Sequence, residues 1–223
     1  MIVFYSRPRR ISAAGLFYKK CSVCFFRRRS KLKPQRTVRR LAALFWQFLF
    51  YSFCGFLLEV AFARLTHSPK PDRKCHLLLP VCPVYGVGAL GILLLPGWVK
   101  GSPLLLFLGG ALVCTAAEWG LSWFYEKAAG VAFWNYRRLP WNLGGRVCLF
   151  FSGFWGLLSL PLVYAVQPWL GAWAAGVPAA VTIPAALFYL GDAATSLLLL
   201  RRGGTGALRW YARPGGRKGR AAS

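Results

Sequence analysis

Residues 147 to 191 contain no Asp, Glu, Lys, Arg or His. A chain folded in water rarely leaves so long a run without charge, whereas about 20 consecutive apolar residues suffice to cross the hydrocarbon core of a bilayer. Each backbone N–H and C=O must find an internal partner there, so helix-length runs of this kind cross as helices. The pattern recurs along the chain, which is 57% hydrophobic, with short polar connections between apolar runs. We expect an all-α integral membrane helix bundle of about five transmembrane helices, over 41–63, 79–99, 103–126, 147–166 and 177–200. A re-entrant or interfacial loop should lie between the third and fourth, where Trp134, Tyr136 and Trp141 read as interfacial anchors. Pro80 and Pro83 make the start of the second span irregular. Gln167-Pro168 breaks the fourth and leaves 168–176 as a surface turn. Residues 1–40 read as a basic, disordered tail and 201–223 as a basic, Gly-rich tail.

The charge is one-sided, with 29 Lys and Arg against five acids. Such a balance can mark a nucleic-acid binder, but these cations cluster at the two ends and in short loops. The partners they suit are anionic lipid headgroups, and no nucleic acid is expected. Counting Lys and Arg across five spans gives 14 on one side and 15 on the other, so the positive-inside rule does not choose an orientation. Without residues 1–37 the counts become three and fifteen, favouring an outside N-terminus and a cytoplasmic C-terminus in a multi-pass protein of the cell membrane. We therefore expect residues 1–37 to be an extension, added late or translated upstream of the natural start, that the membrane core does not need. The basic start also lacks the apolar core and small-residue cleavage site of a signal peptide.

The chemistry-bearing residues are few. An ionisable side chain within the bilayer is costly and marks a functional candidate. Glu118 lies nine residues before Lys127, roughly 13 Å along a helix, with Ser122, Tyr125 and Glu126 on the same broad face. Tyr51, Ser52, Gly55 and Glu59 share a face in the first span, and Tyr189, Asp192 and Ser196 share one in the fifth. Packed together, these stripes would line a common polar cavity. Arg146, entering the fourth span behind two glycines, is the expected counter-ion. The bland alternative is that the carboxylates only hold helices together. The seven cysteines form no disulfide framework. Neither Cys21-Ser22-Val23-Cys24 nor the group Cys75, His76 and Cys82 supplies enough ligands for a metal site. The chain has no P-loop, no G-x-S-x-G elbow and no HExxH, so no cofactor or recognised catalytic apparatus is expected.

Five blocks carry a resemblance: FLFYSFCGFLLEV, PVCPVYGVGAL, FLGGALVCTAAEWGLSWFYEK, FWNYRRLPWNLGGRVCLFFSGFWG and LFYLGDAATSLL. Together, over about residues 45–200, they resemble the bacterial ABC-transporter type IV permease family. The family pattern places acids at Glu59, Glu118, Glu126 and Asp192. It places a P-x-Y-G turn at Pro83, Tyr85 and Gly86, and N-x-x-G-R at Asn142, Gly145 and Arg146. The chain departs from it at Lys74-Cys75-His76-Leu77-Leu78, where the family carries Asn-Arg-Gly-Phe-Leu, and at Asn135, where it carries Asp. The resemblance implies a permease-like protein working with a separate ATPase subunit. The expected substrate- or ion-binding set is Glu118, Glu59, Asp192, Glu126, Arg146, Asn142, Tyr85 and Ser122, and a homo-oligomer is compatible with it. The alternatives are an accessory or scaffold protein with structural carboxylates, and a membrane-embedded enzyme acting on lipid with Glu118 as acid and base.

Overall fold

The computed structural model describes residues 13–67 and 75–208, with side chains from Thr37 onward. The chain divides into two units, 1–41 and 42–223. The first is helical from Ala13, and its described side chains, from Thr37 on, are exposed. The stretch expected as a basic tail is helical from Ala13; the Cys21 and Cys24 side chains fall outside the described residues, as does most of the C-terminal tail.

The second unit is the helix bundle. Helix α1 (Ala13–Leu65) carries the apolar stretch Thr37–Leu65. There follow α2 (Pro83–Leu94), α3 (Gly97–Lys100), α4 (Pro103–Ala129), α5 (Leu149–Pro161), α6 (Gln167–Gly176) and α7 (Ala179–Gly203). Four stretches among the described residues are long and apolar enough to cross a membrane: Thr37–Leu65, Pro103–Ala129, Leu149–Gly176 and Ala179–Leu208. Their outward faces expose large apolar side chains such as Leu57, Leu112, Leu157 and Leu187, as lipid contact requires.

The structure redraws two of the expected spans. The second is realised as α2, whose twelve residues reach only about 18 Å at 1.5 Å per residue. Pro83 starts it, and it stops at Leu94, just before Pro96. Residues 75–82 ahead of it are non-helical, with bends over 75–79. The fourth continues past its expected end. Between α5 and α6 the helix widens into a π-turn over Leu162–Val166, and Pro168 falls in the first turn of α6. A proline leaves a carbonyl without its usual donor, and a wider turn absorbs the misfit without ending the helix.

Between α4 and α5 the expected interfacial loop contains a small hairpin, β1 (Asn142–Leu143) paired antiparallel with β2 (Val147–Cys148). Gly144 and Gly145 turn it at φ +62° and +74°, a region that glycine enters without strain.

Helix α4 is the hub. Its buried positions Leu106, Gly110, Cys114, Glu118 and Ser122 recur every fourth residue, forming one stripe. The stripe faces α5 most extensively and α2 next. At Gly110 an added Cβ would lie 2.5 Å from the Ser159 Cβ, so only glycine permits this approach of α4 to α5. Small residues serve this purpose inside lipid, where helices associate by close packing and hydrogen bonds rather than by escape from water. Thr115 donates to Ser152 (2.7 Å) and Ser159 donates to the Leu106 carbonyl (3.1 Å), both across this interface.

Candidate functional site

Three polar clusters stand where one shared cavity was expected. The first joins Glu59 and Glu118. Tyr85, on α2, donates its hydroxyl to Glu59 Oε1 on α1 (3.0 Å). The Tyr85 ring packs on that of Trp155 on α5, with centroids 4.7 Å apart. The Trp155 indole N–H donates to Glu118 Oε2 on α4 (3.0 Å). Tyr136 completes the set by donating to Glu118 Oε1 (2.8 Å). The hairpin loop positions Tyr136, whose N–H bonds the Gly145 carbonyl (2.8 Å) and whose ring stacks on Phe151. Tyr136 is thus a partner of the buried carboxylate, not the interfacial anchor its place in the sequence suggests. Burial first, then the adjoining Glu118 charge, holds its phenol well above the ordinary range, so it remains a donor.

The second cluster surrounds Asp192. Its Oδ1 accepts the Leu78 N–H and its Oδ2 the Leu79 N–H, both at 3.0 Å. One turn along α7, Ser196 Oγ accepts the Leu77 N–H (2.8 Å). Among the described residues the segment 75–82 pairs with no strand, so side chains of α7 supply acceptors that its backbone needs. Its far end is tied to α1 by the bond from the Cys82 N–H to the Ser52 carbonyl (2.9 Å). His76 Nδ1 lies 3.4 Å from Asp192 Oδ2 without hydrogen-bond alignment, and its ring packs against Tyr189. Burial pushes the His76 imidazole below its ordinary range, against the opposing pull of Asp192.

The third cluster is at the rim. Arg146 pairs with Glu126, both partly exposed, and its guanidinium sits 5.8 Å from the centre of the Trp119 ring. The expected counter-ion of Glu118 is therefore bound to Glu126. Asn142 is also placed differently from expectation. Its Oδ1 accepts the Gly145 N–H (3.0 Å) and its Nδ2 donates to the Leu139 carbonyl (2.7 Å), so it holds the turn. Ser122 is buried one turn beyond Glu118.

Sequence reasoning missed Trp155, which is indistinguishable by composition from the other nine tryptophans. It also missed a pair of glutamines: Tyr51 donates to Gln167 (2.9 Å), and Gln167 donates to Gln47 (3.3 Å), linking α1 to α6. Among the described residues no group of three or more His, Cys, Asp or Glu is placed to hold a metal ion. A cavity of about 150 Å³ lies between α1, α2, α4 and the α5–α6 run, with Tyr85 and Trp155 in its wall; the carboxylates do not line it.

Residues 46–197, about two thirds of the chain, match the family described as "Putative ABC-transporter type IV". The chain belongs to this family. The matched stretch takes in the acidic residue of each cluster, and it leaves out the basic tails of this ABC-transporter-related membrane protein. No curated protein and no solved structure matches it.

Proposed function

We propose that this protein is the membrane-spanning, permease-type subunit of a bacterial transporter. It works in the cell membrane beside a separate ATPase subunit. The working site is the Glu59–Glu118 cluster, which engages a cation, a proton or a charged group of the substrate. The supporting observation is that two of the five acids in the chain, on different helices, meet through the packed rings of Tyr85 and Trp155. Such a convergence inside the bilayer is costly and marks ion or substrate paths. Asp192 has a different task, anchoring the segment before α2.

The test is uptake of protons, sodium and rubidium into proteoliposomes holding the full chain, read by an entrapped pH dye and by radioactive tracers. Wild type should move at least one of them, while Glu118→Gln and Glu59→Gln should fold and move none. Equal uptake by folded Glu118→Gln would sink the proposal. A second reading, an accessory or scaffold protein, is favoured by the fact that both Glu118 oxygens already hold donors. It expects wild type to show no uptake.

A further inference from the structure

The cavity between α1, α2, α4 and the α5–α6 run has a wall with no free hydrogen-bonding handle among its tyrosines and tryptophan. Tyr51 gives its hydroxyl to Gln167, Tyr85 gives its hydroxyl to Glu59, and Trp155 gives its indole N–H to Glu118. The remaining wall is aliphatic or aromatic, with glycine and the thiols of Cys54 and Cys114, which behave as small hydrophobes. Such a space excludes water, which needs two or more polar partners; a dry apolar cavity of about 150 Å³ accepts a guest of roughly six carbons.

Its setting says where the guest comes from. Leu58 lines the cavity and is also 44% exposed on the outward face of α1, so the space meets the lipid-facing surface there. Leu162 and Val166, the two ends of the π-turn, also line it. The widened turn thus sits at the cavity, and π-turns inside helices often mark functional sites. We infer that this cavity binds a segment of the acyl chain of a membrane lipid, inserted from the bilayer past Leu58. Bound there, the chain presses on Tyr85 and Trp155, the two side chains that hold Glu59 and Glu118. The inference does not depend on the transport reading and survives if no ion is moved.

Photo-crosslinking tests it. The full chain is placed in nanodiscs of phosphatidylcholine bearing a diazirine in one acyl chain, irradiated, digested and mapped by mass spectrometry. Ala89 and Ile92 line the cavity, yet each is only 2% exposed, so lipid at the outer surface does not reach them. Adducts are expected on both, and they should disappear in the cavity-filling variant Leu162→Trp. Val166→Phe serves as a second filling variant should the first fail to fold. Labelling confined to outward residues such as Leu57, Leu94 and Leu112 would overturn the inference. So would undiminished labelling of Ala89 and Ile92 in a folded filling variant.

Discussion

Glu118 and Asp192 are alike by every measure taken from their own side chains. Both are carboxylates in long apolar helices, and both residues are 4% exposed. They differ in what donates to them. Asp192 receives two backbone N–H groups from the non-helical segment before α2, and a backbone donor cannot swing away without moving the chain. Glu118 receives a phenol and an indole, each at the end of a side chain with its own rotamers. One arrangement locks a fold, while the other can be rearranged by a ligand. Burial alone therefore does not distinguish the two carboxylates; the identity of the donors does.

The sharpest way to break this contrast is Asp192→Ala. It strands the N–H groups of Leu78 and Leu79, at about 1–3 kcal/mol for each buried donor left unmet. We expect a large loss of folded protein on gel filtration and new proteolytic cuts near residues 75–82, with Asp192→Asn in between because it keeps one acceptor. Resistance of folded Asp192→Ala to both would refute the anchoring role. Glu118→Gln should cost less, because its amide oxygen still accepts from one donor and only the other is orphaned, about 1–3 kcal/mol. An unfolding titration that ranks it above Asp192→Ala would reverse the contrast.

Acid offers a third probe of the Asp192 side. In the folded chain His76 is held below its ordinary value of 6.5, chiefly by burial. The unfolded chain then binds a proton that the folded chain refuses, so stability is full above the unfolded value and falls as pH drops toward the folded one. Thermal unfolding should show this decline, and His76→Gln should flatten it; an unchanged slope would place the titrating group elsewhere. The smallest effect belongs to the rim. Arg146 and Glu126 are partly exposed, so Arg146→Gln should cost only about 0–1 kcal/mol in the same unfolding assay. A loss as large as that of Asp192→Ala would show that the rim pair carries more of the fold than its exposure suggests.

Much of this architecture was legible before the coordinates. The charge-free run from 147 to 191 and its counterparts announced helices in a membrane, and depth alone singled out Glu118. What escaped lay in partners distant along the chain. Asp192 meets Leu78 and Leu79 more than a hundred residues away, and nothing in the local pattern of α7 announces an acceptor for non-helical backbone. Pro168 read as a break because proline removes a helical hydrogen bond; the compensating π-turn depends on packing and leaves no residue signature. Asn142 and the two glycines did carry a turn signal, yet the side chain the turn delivers, Tyr136, is identified only by where its hydroxyl ends.

The most direct measurement is a double-mutant cycle between Glu59→Gln and Glu118→Gln, read as unfolding free energies of the full chain by SDS titration in bicelles. Groups in one network couple by roughly 0.5–3 kcal/mol, whereas independent sites add to within about 0.3–0.5 kcal/mol. The account expects coupling in the upper range for this pair, and additivity between Glu118→Gln and Asp192→Asn. Additive losses at Glu59 and Glu118 would show two separate carboxylates that merely lie near each other, and would contradict it.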